Sequence, residues 1–275
     1  MVLTLVVTYS RLPVEELYRV DDGGFWGALG RALVLVNFPI ALVALALIPV
    51  ALDALPGRAA WVAVPAIVLC ALVAAPGVID EQDLDARTVN AVPAVGVALV
   101  LALTIAATRR AGAAFAPRRS GDPFRLVAAI AIVVCSLPWL AAELGTTFPQ
   151  GIFLTSKLAR ESDGSLIQAV HVGHHHGWDG ALLVLTVLVL SRVRLSSPRL
   201  DTWLAIWLGA LGAYGLVNAA QDFWLEQVVK RGWVDWEIPS ALRPSGSWIW
   251  LVIAALAGLF GVLGLRSRDA SPRPG

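Results

Sequence analysis

Charged residues are scarce in this sequence. Asp, Glu, Lys and Arg make up 15% of the 275 residues, hydrophobic residues make up 57%, and the mean hydropathy is +0.73. This balance excludes an ordinary soluble domain and is typical of a protein that crosses a membrane several times. The formal net charge of +1 also lacks the basic excess that nucleic-acid binding requires. We therefore expect the lipid bilayer, and not a nucleic acid, as the partner.

Sulfur-containing side chains are nearly absent as well. The chain has two cysteines, Cys70 and Cys135, and one methionine. Both cysteines lie inside apolar runs, so the sequence offers neither a disulfide framework nor a CxxC motif for metal or redox chemistry. The scarcity of thiolate and thioether ligands also argues against a site for soft copper(I).

Long apolar runs dominate what is present. A helix needs about 20 apolar residues to cross the hydrocarbon core, and runs of about this length recur about seven times. We therefore predict an all-α fold, a polytopic membrane helix bundle of about seven transmembrane helices in one domain over residues 31–265, preceded by an interfacial segment over residues 1–30. A first helix that lies in the interface or re-enters it would leave six spans. The predicted spans are residues 31–52, 61–79, 91–108, 126–144, 170–193, 202–223 and 246–265.

The arginines predict the orientation of the chain. They gather between spans three and four, between spans five and six, and after span seven, and such segments face the cytoplasm by the positive-inside rule. The N-terminus is then outside, and residues 266–275 form a cytoplasmic tail. A chain rich in arginine and poor in lysine also suggests a GC-rich bacterium, hence the bacterial cytoplasmic (inner) membrane. These arginines are Arg109, Arg110, Arg118, Arg119, Arg125, Arg192, Arg194, Arg199, Arg266, Arg268 and Arg273.

A histidine cluster is the feature most suggestive of chemistry. It contains all four histidines of the chain: His171, His174, His175 and His176. If the helix of span five starts near Ser165, the first three share one face with Asp179, whereas His176 points elsewhere. Imidazoles at such spacings can bind one metal ion, so we predict these three histidines and Asp179 as ligands. The expected cofactor is a divalent metal ion, zinc first and then iron, manganese or copper.

Carboxylates of neighbouring spans are expected at the same membrane level. Glu143 closes span four on the outer side, and Asp222 lies near the outer end of span six on a face with Asn218 and Glu226. Such groups are costly against lipid alone, so we expect them to meet the histidines inside the bundle. Glu143 or Asp222 would then act as the general base for a metal-activated water.

Three classes of function remain open at this point. The first is a metal-dependent enzyme, a hydrolase or an oxidoreductase, that acts on a lipid or amphiphile at the outer leaflet. The second is a transporter or pH sensor that handles protons or metal ions, although spans two, three and five offer almost no polar residues below the cluster. The third is a non-catalytic sensor or assembly subunit whose outer loop, residues 146–168 or 230–247, meets a partner.

One motif resembles part of a known family. The pattern His171-x-x-His174-His175 resembles one histidine box of the membrane-bound fatty-acid desaturases and hydroxylases, but that family holds two iron atoms with several boxes. Seven-helix zinc hydrolases of the ceramidase and adiponectin-receptor type also bind zinc at a membrane boundary, through three histidines from separate helices. Because every histidine of this chain lies in one cluster, we assign it to neither family.

Overall fold

A computed structural model of the chain shows a bundle of helices. It describes residues 24–55, 57–75, 78, 89, 91–111, 118–137, 158–160, 164, 166–168, 176–242 and 244–269. Within these residues the chain forms seven α-helices and one two-stranded antiparallel sheet. The helical bundle expected from the hydropathy pattern is therefore present, with a short hairpin in addition.

Each predicted span overlaps one helix of the described residues. The first four helices are α1 (Gly24–Ala54), α2 (Ala60–Ala71), α3 (Ala91–Ala111) and α4 (Asp122–Cys135). The last three are α5 (His176–Leu190), α6 (Pro198–Trp224) and α7 (Trp248–Asp269). Short 3-10 turns flank α2 at Gly57–Ala59 and Leu72–Ala74, and α6 continues as a π-helical turn over Leu225–Val229. Helix α1 begins at Gly24, before the predicted boundary at residue 31.

Four helical segments of the described residues are long and apolar enough to cross a membrane: Gly57–Ala74, Ala91–Ala111, Pro198–Val229 and Trp248–Arg266. Two shorter apolar helices are Phe38–Ala54 and Gly177–Leu190. A helix satisfies its own backbone hydrogen bonds, which is the condition for crossing lipid. By length and composition, the chain has the helices of a membrane protein.

Helix ends rich in arginine meet at one end of the bundle. The carboxylate of Asp53 at the end of α1 accepts hydrogen bonds from the backbone that precedes α6. Arg268 at the end of α7 pairs with Asp201 in the first turn of α6. Arg192 after α5 pairs with Asp122 at the start of α4. We call this the arginine end; it contains the guanidinium groups of Arg119, Arg125, Arg192, Arg194 and Arg268.

Helix α6 is the central helix of the bundle. In the apolar stretch of α6 that is long enough to cross a membrane, 61% is buried. The corresponding shares in the segments of α2, α3 and α7 are 22%, 28% and 17%. Small residues allow its neighbours to approach closely: a Cβ at Gly209 would lie 2.6 Å from the backbone nitrogen of Gly261 in α7. The absence of a side chain at Gly209 therefore allows α6 and α7 to pack closely.

The start of span five differs from the prediction. Instead of a helix from near Ser165, strands β1 (Leu158–Arg160) and β2 (Leu166–Gln168) pair antiparallel, and the described part of α5 begins at His176. The turn between the strands contains Gly164 with φ 86, a left-handed conformation that favours glycine. The dipeptide Asp163-Gly164 is a hairpin signal that the helical interpretation overlooked. The helix start on which the shared face of the histidines and Asp179 was based is therefore wrong.

Candidate functional site at the start of helix α5

Three polar side chains follow one another on one face of α6 and its π turn. Asn218, Asp222 and Glu226 are 1%, 0% and 2% exposed. Their four-residue spacing places them on the same side of the helix, as the sequence predicts. Polar and charged groups are costly to bury unless they bind partners, so this face is the first candidate for a site. We call the three residues and the start of α5 the Asp222 site.

Helix α5 reaches this face through a close contact between glycine-rich backbones. A Cβ built at Gly180 would lie 2.5 Å from the carbonyl oxygen of Gly215 and 2.7 Å from the backbone nitrogen of Ala219. Because Gly180 has no side chain, the two helices can touch at this point. The contact brings the first turn of α5 to the level of Asp222.

Asp222 binds the first turn of α5. The backbone N–H of Gly177 donates a hydrogen bond to Oδ2 of Asp222 at 3.0 Å. The first N–H groups of a helix have no partner inside the helix, and its N-terminus carries partial positive charge. A buried carboxylate from α6 satisfies one of these groups and complements that charge. The residue before Gly177 is His176, so Asp222 binds the chain directly after the histidine cluster.

Glu226 lies in the π turn that ends α6. Its side chain is 3% exposed and forms an ion pair with Lys230, which is 26% exposed. The backbone N–H of Lys230 donates to the carbonyl of Leu225 at 2.9 Å, the five-residue spacing of a π turn. Single π turns are rare and occur frequently at functional sites. The turn adds a second independent reason to place the site here.

Two buried polar atoms near this site have no hydrogen-bond partner among the described residues. They are Oδ1 of Asn218, an acceptor, and Nε1 of Trp250, a donor. The Trp250 ring contacts Tyr214, one turn before Asn218 on α6, at 5.9 Å between centroids. Buried groups of this kind usually bind protein, water or a ligand. The region beside Asn218 is therefore suited to a polar group that comes from outside the described residues.

A non-helical segment over residues 236–242 lies along α6 beside the site. Three side chains of α6 donate to its carbonyl groups: Trp224 to Trp236 at 3.1 Å, Gln221 to Ile238 at 3.4 Å and Tyr214 to Leu242 at 3.1 Å. These donors are spread over ten residues of α6, or about 15 Å of helix. Non-helical backbone beside a membrane-crossing helix is tolerated where protein groups bind it.

The predicted spans leave this segment in the connection between spans six and seven, and they do not predict its contacts with α6. A signal was present in Ile238-Pro-Ser-Ala-Leu242, an uncharged stretch between charged and polar flanks. Pro239 prevents a helix from continuing there, and the apolar residues favour burial. The contacts themselves depend on the position of α6 and are not visible in the sequence.

The predicted site residues fall into two groups. Asp222 and Asp179 are described, and Asp179 lies in the first turn of α5, where the helix dipole favours an acidic side chain. Glu143 and the predicted histidine ligands lie outside the described residues: His171, His174 and His175. Within the described part of the chain, no group of three or more His, Cys, Asp or Glu side chains could hold a metal ion. No protein-family model, no curated protein and no solved structure matches the chain.

Proposed function

We propose that this chain is a multi-pass protein of a bacterial cytoplasmic membrane that binds a divalent metal ion at its outer end. The chain is then an enzyme that uses this metal ion to act on a lipid or another amphiphile. Zinc is the favoured ion, with iron, manganese or copper as alternatives. The proposed ligands are His171, His174, His175 and Asp179, and the proposed general base is Glu143 or Asp222.

The hydrogen bond from Gly177 to Asp222 is the observation that carries this proposal. Consecutive Cα atoms are about 3.8 Å apart, so the histidine cluster, which ends at His176 directly before Gly177, ends close to a fully buried carboxylate. Imidazole and carboxylate together are the usual donors for zinc and non-haem iron. A carboxylate can also orient a ligating histidine by accepting its ring N–H.

Asp222 is held in place by contacts within the protein. Its Oδ2 atom accepts from the backbone of α5, and the side chain is fully buried. A metal ion would lower the pKa of a bound water to about 7. A fixed carboxylate within hydrogen-bond reach of such a water is suited to take its proton. Glu226 lies on the same face of α6, and its carboxylate forms an ion pair with Lys230.

The site is suited to access from one side only. Beyond Asn218, the face of α6 that leads toward the arginine end continues with Gly215, Leu211 and Leu208, which are all buried. An ion or proton path through a membrane needs polar groups along its length. This apolar continuation supports an enzyme at the membrane boundary over a transporter.

The proposed orientation has a direct test. A reporter that is active only in the cytoplasm should work when fused after Arg268 or within residues 110–119. It should fail when inserted within residues 151–165, because the positive-inside rule places the arginine end in the cytoplasm. The reverse pattern would place the histidine cluster on the cytoplasmic side and contradict the proposed outer site.

Metal content tests the proposed site. Purified protein should contain stoichiometric metal by mass spectrometry, and His171→Ala or His175→Ala should lose it, because a site without one ligand has too few donors. Asp235→Asn, which changes an exposed acid, is the matched control and should keep the metal. Stoichiometric metal in a variant without both histidines would contradict the ligand set. A metal-free protein whose tryptophan fluorescence shows a transition near pH 6.5 that is reduced by replacing the histidines would indicate a pH sensor instead.

Turnover separates catalysis from binding. Total lipid extracts incubated with the metal-loaded protein should show products by mass spectrometry that are absent with the metal-free protein. If Asp222 is the general base, the Asp222→Asn variant should fold and keep its metal but lose this turnover. Products that persist unchanged in this variant would leave Glu143 as the proposed base.

A further inference from the structure

The Trp250 ring in the first turn of α7 is partly exposed, but its N–H group is not. Nε1 of Trp250 is buried and has no hydrogen-bond partner among the described residues. A tryptophan near a membrane boundary usually directs this N–H to water or head groups while its ring contacts lipid. Trp250 directs its donor into the protein instead, and the proposed metal site does not use it.

Asn218 presents a buried acceptor on the neighbouring helix α6. Its side chain is 1% exposed, and Oδ1 has no hydrogen-bond partner within the described part of the chain. A buried polar group without a hydrogen bond destabilises the folded state, because the bond that it made to water is lost. Asp222, one turn further along α6, accepts a hydrogen bond from Gly177. Asn218 is therefore suited to a donor that comes from a ligand.

Tyr214 lies next to both of these groups. It precedes Asn218 by four residues on the same side of α6, and its ring centroid is 5.9 Å from that of Trp250. Phe38 of α1 contacts the Tyr214 ring edge-on at 6.1 Å. All three rings are partly exposed, whereas Asn218 is buried. Aromatic rings thus reach the surface of the bundle beside two buried polar atoms.

The two polar atoms require opposite hydrogen-bonding groups. Oδ1 of Asn218 needs a donor, and Nε1 of Trp250 needs an acceptor. Ionised phosphate and carboxylate oxygens only accept, and an ammonium group only donates. Hydroxyl groups do both without a charge. The rings of Phe38 and Tyr214 are suited to contact an apolar chain, so the whole region matches a neutral amphiphile with a hydroxylated head group.

We propose that Asn218 and Trp250 bind the hydroxyl groups of a neutral amphiphile, whose apolar chain contacts Phe38 and Tyr214. A hydroxyl donates to Oδ1 of Asn218, and a hydroxyl oxygen accepts from Nε1 of Trp250. This hydroxyl subsite rests on the proposed function and names its substrate class, because Asn218 lies one helical turn from Asp222. Each bond satisfies a buried group that otherwise destabilises the protein.

A matched pair of probes tests the hydroxyl subsite. Monooleoylglycerol has free hydroxyls, whereas its di-O-methyl ether accepts hydrogen bonds but cannot donate them. The full chain, purified in detergent from phosphatidylcholine discs that contain equal amounts of both, should retain monooleoylglycerol about three- to tenfold more than the ether, as one hydrogen bond predicts. Mass spectrometry of the copurified lipid measures the ratio. The same preference is expected in the metal-site variant His175→Ala, so the subsite and the metal proposal can fail separately.

Variants of the two polar groups should act differently. Asn218→Leu removes the acceptor and should bring the retention of the two probes to about the same level. Trp250→Phe keeps an aromatic ring but removes a donor that both probes can use, so retention of both should fall about three- to tenfold while the preference persists. The matched control is Trp203→Phe, at an exposed position of α6, which should change neither quantity.

Equal retention of the two probes by the unmodified protein would overturn the proposal, because water or a protein group would then satisfy Asn218. A preference for monooleoylglycerol that persists in Asn218→Leu would overturn it as well, as would equal losses in Trp250→Phe and Trp203→Phe. If Asn218→Leu does not fold, Trp250→Phe carries the test, and unchanged retention of both probes in that variant would contradict the subsite.

Discussion

Gly180 in α5 and Gly215 in α6 each occupy the space that a side chain on the other would need. A Cβ at Gly180 would lie 2.5 Å from the carbonyl oxygen of Gly215, and one at Gly215 would lie 2.8 Å from the carbonyl oxygen of Gly180. Backbone carbonyls cannot move aside as a flexible side chain can. This contact determines how closely the start of α5 approaches Asp222, so it couples helix packing to the candidate site.

Gly180→Ala should destabilise the protein by about 1–3 kcal/mol, because the added methyl group forces α5 away from α6. Thermal unfolding in detergent measures this effect. Gly258→Ala in α7 is the control, since a Cβ there meets nothing within 4 Å. Alanine favours helix over glycine by about 1 kcal/mol, so the control should be neutral or more stable. Equal stability of both variants would show that the close contact is not required.

Asp222→Ala should cost about 1–3 kcal/mol of unfolding free energy, because the N–H of Gly177 loses its acceptor inside the bundle. Asp222→Asn keeps an oxygen at this position and should cost less. Chemical unfolding in detergent distinguishes the two, with Asp235→Asn as a neutral control. Unchanged stability and unchanged metal content in Asp222→Ala would remove α6 from the site.

Tyr214→Phe should weaken the attachment of the 236–242 segment to α6. The hydroxyl donates to the carbonyl of Leu242, and a net loss of about 0.5–1.5 kcal/mol is expected for one such bond. Trp224→Phe, which removes the donor to the carbonyl of Trp236, should have a similar effect. Hydrogen exchange of residues 236–242 should rise in both variants and stay unchanged in Trp203→Phe, an exposed position on α6. Unchanged exchange in both would show that the segment is held by other contacts.

Asp122 makes stability depend on pH. The backbone N–H of Arg119, together with the charges of Arg192, Arg125 and Arg119, lowers the pKa of Asp122 below its usual value of about 3.9. The contribution of Asp122 to stability is therefore complete above about pH 3.9 and is lost as the pH falls through the lower folded-state value. The loss of stability from pH 5 to pH 3, measured by chemical unfolding, should be smaller in Asp122→Asn than in the unmodified protein. An identical loss in both would show that the arginines do not stabilise the ionised carboxylate.

Hydropathy alone located all seven helices of the described residues. A chain that enters lipid must satisfy its backbone hydrogen bonds locally, so each long apolar run becomes a helix whatever its neighbours are. The common face of Asn218, Asp222 and Glu226 followed from helical periodicity for the same reason. The start of α5 was not predicted correctly, because the turn chemistry of Asp163 and Gly164 competes with a helical pattern that was extended too far.

The position of Asp222 against Gly177 was decided only by tertiary structure. These residues are separated by 45 positions in the chain, and their contact requires two helices to cross at Gly180 and Gly215. The same holds for the 236–242 segment, whose carbonyl groups bind donors on α6. Sequence patterns determine which segments are helices and which faces are polar, because those properties depend on near neighbours along the chain. Which polar faces meet depends on the close packing of whole helices, and that is a property of the folded bundle.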